Sequence, residues 1–200
     1  IGMPLSILLG IVAGSVLNRA RGREMVTSYI LGFFFNGIYQ FFVLYILGSV
    51  IPMHNKAIML SRGYGVRNTL ELAPVRQMLD TAIPLTIAGF KIPILSYLII
   101  IALCFFIVWF RKTKLGQDMR AIGQNQAVSL ASGIAVERTR IISIVISTVL
   151  ACIGQIIFLQ NMGNMSTYNA HDQTGFFAAA AILVGGASVN KASIRNVFIG

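Results

Sequence analysis

The sequence predicts an all-α membrane protein, a polytopic bundle of transmembrane helices with a short cytoplasmic helix between two spans. Composition is the first reason: of 200 residues, 56% are hydrophobic and 11% charged, and mean hydropathy is +0.78. A soluble domain carries about 25% charged residues, and a chain this short folded in water still needs a polar surface. The second reason is that the apolar residues gather into long uncharged runs of bilayer length. The third is where the net charge of +10 sits, between those runs. Lys and Arg there mark loops kept on the cytoplasmic side. They do not line one basic face, so no nucleic acid is expected as a partner.

Residues 1–17 form the first uncharged run, and Gly10 and Gly14, four apart, leave two readings, a face that a neighbouring helix can approach closely or a plain lipid-facing helix. The basic run NRARGR at 18–23 follows as a loop. Residues 25–55 carry no formal charge and supply a second span, closed by Pro52. Residues 56–91 carry mixed charge and are expected as an extracytoplasmic loop. Within it LELAPVRQML at 70–79 reads as an amphipathic surface helix started at Pro74.

Residues 92–110 make a third span, and its edge at Trp109-Phe110 before Arg111-Lys112 is that of a cytoplasmic membrane face. Residues 111–140 are the most polar stretch. A fourth span at 141–160 precedes a loop at 161–175 without Lys or Arg, and an Ala- and Gly-rich run at 176–189 follows. With 18–24, 111–140 and 190–196 inside, the cytoplasmic set holds eleven Lys and Arg against five outside, all in 56–91. The chain starts and ends in apolar sequence without an initiator Met, so it reads as an internal piece of a longer chain, with 1–200 a single transmembrane domain.

Polar residues within spans are the first candidates for function, because each is costly in lipid unless paired or facing water. Asn36 and Gln40 share a face of the second span with Tyr39 beside them; Thr148, Cys152 and Gln155 share one on the fourth. Two readings stand: a polar strip along a solute cavity, or interhelical hydrogen bonds that hold the bundle. Ser143, Ser147, Ala151 and Gly154 form a stripe of small residues expected to be a packing face. No ionisable group lies mid-span, which speaks against an ion-coupled secondary carrier.

Cys104 and Cys152 lie in apolar stretches without metal or disulfide spacing, and His54 and His171 are isolated near span ends. No metal, cofactor or catalytic constellation is expected. No GxxxxGK[ST] run exists to hold ATP. The informative stretch is 111–140, where Gly116, Gly123 and Gly133 punctuate the sequence and Asn125 is placed to cap a helix over 126–132. Ala127, Leu130 and Ala131 give that helix a small apolar face, suited to docking a soluble partner.

The run GQDMRAIGQNQAVSLASGI at 116–134 resembles the cytoplasmic coupling segment of bacterial ABC importer permeases of the ribose and branched-chain amino acid (binding-protein-dependent) transport family. Members typically read G-x-x-x-R-A-x-G-x-N-x-x-A-A-x-x-x-G-I, and the match covers Gly116, Arg120, Ala121, Gly123, Asn125, Gly133 and Ile134, with Ala127 one position before the paired alanines. A second match, FAAAAILVGGAS at 177–188, is similar to the family's apolar run ending in G-G-[AT]-S. Sugar-type members continue with a Gly-rich turn where this chain has VNKASI.

The resemblance implies a multi-pass permease subunit of a bacterial inner membrane, and not an enzyme. It implies pairing with a second permease subunit, two ABC ATPase subunits on the cytoplasmic face, and an extracytoplasmic solute-binding protein. Carried over to this sequence, 111–140 is the ATPase-coupling segment, with Gly116, Arg120, Ala121, Gly123, Asn125, Ala127 and Gly133 as its coupling residues. Asn36, Tyr39, Gln40, Thr148 and Gln155 offer amides, hydroxyls and an aromatic but no charge. A small neutral polar solute is therefore expected, a monosaccharide first, with a nucleoside or branched-chain amino acid behind it.

Overall fold

The computed structural model describes residues 2–20, 22–53, 58–61, 63–72, 76–78, 85–87, 90–92, 94–188 and 193–199. His54, Pro74 and the continuation at 189–192 lie outside the described residues. In chain order the elements are α1 (Gly2–Arg19), α2 (Glu24–Phe41) running into a π-helical turn (Phe42–Ile46), β1 (Thr69–Glu71), β2 (Leu85–Ile87) and β3 (Phe90–Ile92). Then come α3 (Ile94–Phe110), α4 (Lys114–Gln124), α5 (Gln126–Ala131), α6 (Val136–Met162), β4 (Asn164–Ser166), α7 (Ala170–Val184) and α8 (Ile194–Ile199).

Among the described residues three helices are long and apolar enough to cross a membrane: Gly2–Arg19, Glu24–Ile46 and Val136–Met162. The α3–α4 pair passes the same test as one span bent by 75°. Outward faces carry large apolar side chains, with Phe33 74% and Phe105 73% exposed. Acyl chains accept such surfaces; water does not. The protein is a helical membrane protein, and among the described residues the strands form two two-stranded patches.

The described residues fall into two compact units, Ile1–Phe41 with Ile99–Ile156, and Phe42–Leu98 with Ile157–Gly200. In the first, α1 and α6 are in close contact along a row of small residues. A Cβ on Gly10 would lie 2.9 Å from the Val145 Cα and 2.5 Å from the Thr148 Oγ1, and one on Gly14 would lie 3.2 Å from the Ile141 Cα. Ser6, Gly10 and Gly14 are the buried residues of α1. In lipid there is no hydrophobic drive between helices, so this closeness gives van der Waals contact its full value. The Thr148 hydroxyl adds a bond to the Ser6 carbonyl at 3.2 Å, shared with its own Val145 carbonyl at 2.9 Å. Asn18 Nδ2 donates to the Glu137 carbonyl at 2.9 Å and ties the polar ends of the same two helices.

The stripe expected to pack, Ser143, Ser147, Ala151 and Gly154, is instead exposed. The packing face of α6 runs through Ile141, Val145 and Thr148, because the flat glycine face of α1 accepts bulky partners and gains little from small ones.

In the second unit β1 pairs antiparallel with β4, Thr69 opposite Ser166 and Glu71 opposite Asn164. Leu72 N donates to the Gly163 carbonyl at 2.9 Å, and Tyr168 Oη donates to the Val66 carbonyl at 2.6 Å. Thr69–Glu71 is a strand whose middle residue, Leu70, pairs with Met165, and the amphipathic helix expected to start at Pro74 lies largely outside the described residues. The loop expected over 161–175 shortens too, with α6 reaching Met162 and α7 starting at Ala170. The span expected over 25–55 ends at Ile46. Gly65, at φ +81°, then lets the chain cross so close that a Cβ would lie 2.7 Å from the Leu44 carbonyl oxygen.

α7 ends as the Gly-Gly sequence dictates. Gly186 N donates to the Leu183 carbonyl at 2.9 Å and Ala187 N to the Ile182 carbonyl at 3.2 Å, with Gly186 at φ +83°. This is the Schellman arrangement, in which the left-handed position favours glycine. Asn196 Nδ2 from α8 then donates to the Gly185 carbonyl at 2.9 Å.

Candidate functional site

The segment after α3 is built around three tight local devices. Thr113 caps α4: its Oγ1 accepts from Gly116 N at 3.3 Å and donates to the Phe110 carbonyl at 2.6 Å. A Cβ on Gly116 would fall 2.3 Å from the Phe110 oxygen and 2.8 Å from the Arg111 Cα. Only glycine lets the first turn of α4 close on the end of α3, and that contact sets the 75° elbow. A cleft of about 550 Å³ lies in the elbow, lined in part by Val108, Arg111, Lys112, Gln117 and Arg120.

Asn125 joins α4 to α5. Its backbone N–H donates to the Ala121 carbonyl at 3.0 Å, ending α4, while its Oδ1 accepts from Ala127 N at 3.1 Å and Val128 N at 3.2 Å, starting α5. The far end of α5 closes on Gly133, at φ +79°. Gly133 N donates to the Leu130 carbonyl and Ile134 N to the Ser129 carbonyl, each at 3.1 Å. A helix of six residues is too short to hold itself in water; caps at both ends hold this one. Ser129 is turned inward at 3% exposure, with its hydroxyl on the Asn125 carbonyl at 2.9 Å. Ala127 is exposed, and so are Val128 (59%) and Leu130 (66%). The helix foreseen over 126–132 is present over Gln126–Ala131, with Ser132 as its C-cap.

A second cavity of about 510 Å³ lies beside α4, with Met25, Ser28, Ile122, Gly123 and Ile144 in its lining. The ion pair of Glu24 Oε1 with Arg140 Nη2 at 3.0 Å lies on its wall. Glu24 stands in the first turn of α2, where the helix dipole also favours a carboxylate. Sequence reasoning missed this pair, whose members are 116 positions apart. The available signal was that both were expected at the same membrane face with opposite charge.

The candidate solute residues divide. Gln40 Nε2 donates to Asn36 Oδ1 at 3.3 Å on one face of α2, and both side chains are half-buried, as is Tyr39. Thr148 belongs to the α1–α6 contact, where its hydroxyl is engaged. Gln155 lies half-buried two turns further along α6. The geometry thus brings Asn36 and Gln40 together and gives Thr148 a place in helix packing.

The family model described as "Branched-chain amino acid transport system / permease component" matches residues 1–200. The chain is similar to the "Nucleoside ABC transporter permease protein NupB" of Lactococcus lactis subsp. cremoris (strain MG1363), 37% identical over 90 residues, which are 44% of this chain and 25% of the relative. It is also similar to the "Probable ABC transporter permease protein YphD" of Escherichia coli (strain K12), 28% identical over 99 residues, 50% of this chain and 30% of the relative. The matched stretches thus span less than a third of the length of these curated relatives. No solved structure matches the chain.

Proposed function

We propose, from the premise that this chain belongs to the family of branched-chain amino acid transport system permease components, that it acts as the membrane subunit of an ATP-driven importer of a small neutral polar solute. The chain is a multi-pass bacterial membrane protein. The observation that carries the proposal is α5, an exposed helix capped at both ends by Asn125 and Gly133, within the segment that resembles the family's coupling element. In this reading residues 111–140 face the cytoplasm and 56–91 the opposite side, a topology supported by the pairing of β1 with β4, since both strands then lie on one face.

Asn125, Ala127 and Gly133 form and present the docking helix to an ATPase subunit. Gly116, Arg120, Ala121 and Gly123 belong to α4, the lever behind it. Because Asn125 ends one helix and starts the next, a push on α5 passes to α4 and the elbow as a rigid body, and the spans rock in response. Hydrolysis takes place in the ATPase subunits; this chain couples to it. Its partners are a pair of such subunits, a second permease subunit and an extracytoplasmic binding protein.

For the solute we infer a monosaccharide, received by amides and hydroxyls along the pathway that includes Asn36, Tyr39, Gln40 and Gln155, Thr148 being engaged in the α1–α6 contact. A nucleoside is the second reading, favoured by the 37% identity to a nucleoside permease; its ribose presents the same kind of hydroxyls. The test is uptake into vesicles holding the full-length permease with its ATPase and binding protein, competed with monosaccharides, nucleosides and amino acids. The expected result is ATP-dependent uptake competed by a neutral sugar or nucleoside. Uptake driven by an ion gradient without the ATPase, or competed by ionic solutes alone, would overturn the proposal.

A further inference from the structure

We propose that the α3–α4 elbow is a binding site for an anionic phospholipid. Arg111, Lys112 and Arg120 line one cleft of about 550 Å³. Among the described residues none of the three forms an ion pair, the recorded bridge being Arg140 with Glu24. Asp118, the acidic residue of α4, is not part of the lining. Three cationic residues line one space with no carboxylate in its lining, and an anion from outside the chain would balance them.

What surrounds the cleft selects the kind of anion. Val108 lines it, and the apolar side chains of α3 begin there, with Trp109 57% and Phe105 73% exposed. A ligand suited to this setting has a negative head and an apolar tail. Its phosphate would take the guanidinium of Arg111 or Arg120 bidentately, and its acyl chains would lie along the outer face of α3. Basic side chains at the end of a span attract anionic headgroups in this way. The concavity itself is fixed by backbone, since the close approach of Gly116 to Phe110 sets the bend.

The inference goes beyond the proposed function and needs only that α3 lie in a bilayer. It assigns Arg120 to the lipid side of the coupling segment, while α5 keeps the protein side. A lipid held at the elbow would brace the joint through which α5 moves the spans.

The test is native mass spectrometry of the full-length permease, delipidated in detergent and titrated with phosphatidylglycerol or with phosphatidylcholine of the same chains. Retained phosphatidylglycerol adducts are expected, with phosphatidylcholine much weaker. Each cation removed should weaken retention about fivefold, so Arg111→Gln with Arg120→Gln should weaken it about 25-fold. Arg138→Gln, an exposed cation of α6 outside the cleft, should retain the lipid as wild type does. Equal retention of the two lipids overturns the site without needing any variant. So would unchanged retention in the Arg111/Arg120 variant, or an equal loss in Arg138→Gln. Displacement by inorganic phosphate as effective as by lipid would make the ligand a free anion. Cross-linking of Arg120→Cys to the ATPase subunit in lipid-replete membranes would give the cleft to protein. Transport is not read in any arm, so failure here is distinct from failure of the importer proposal.

Discussion

The α1–α6 contact and the short helix α5 both depend on small residues, for opposite reasons. In the first, Gly10 and Gly14 are small so that another backbone can come near, and everything around them is filled. In the second, Gly133 is glycine for its φ of +79°, with nothing within 4 Å of where a Cβ would sit, and Ala127 faces open space. The first region is where stability resides. The second is a capped helix with an exposed face, which the proposed function offers to a partner. The same residue types therefore predict different failures: substitution at the contact should unfold the protein, and substitution on α5 should leave it folded and uncoupled.

The largest effect expected is at Gly10. Leucine there would meet the backbone of Val145, which cannot step aside as the Thr148 side chain can. A loss of about 3 kcal/mol is expected, read as a lowered midpoint of thermal unfolding in detergent. A variant as stable as wild type would break the comparison, because it would mean that α1 and α6 are not closely packed. Next come the caps of α5. Gly133→Ala forces an L residue into the left-handed region, at about 1–2 kcal/mol, and Asn125→Ala removes the acceptor of two backbone N–H groups, at about 1 kcal/mol. Both costs should fall on α5 alone. Amide exchange is expected to speed up over 126–132 while α1 and α6 stay protected; faster exchange everywhere would erase the distinction between the regions.

The smallest effect expected is at the Glu24–Arg140 pair. Glu24 is 40% exposed, and an ion pair at such a site contributes little to stability. Glu24→Gln should barely move the unfolding midpoint. A double-mutant cycle with Arg140→Gln showing strong coupling would make this pair part of the stabilising region after all.

Legibility followed the range of the interactions. The ends of α5 were readable at Asn125 and Gly133 because caps are local, a side chain bonding N–H groups two and three residues on. The close approach at Gly10 and Gly14 was readable because spacing of four places both on one face. The partner face on α6 was not, since nothing in the α6 sequence says which stripe the glycines will meet. A search for apolar windows finds the part of a helix in lipid, so it missed the polar first turns of α6 at Glu137–Arg140, which extend the helix beyond the apolar run. The β1–β4 pairing and the Glu24–Arg140 contact join residues 95 and 116 positions apart. No local signal specifies such pairs.

In the proposed function α5 is the surface through which an ATPase subunit moves this protein. Ala127→Trp tests it most directly, since the side chain is exposed and a larger one disturbs nothing inside the fold. Two quantities are to be measured on the full-length permease reconstituted with its partners: its unfolding midpoint, and the ATPase activity stimulated by solute-loaded binding protein. The account predicts an unchanged midpoint and an abolished stimulation. Full stimulation in a correctly inserted Ala127→Trp permease would contradict it.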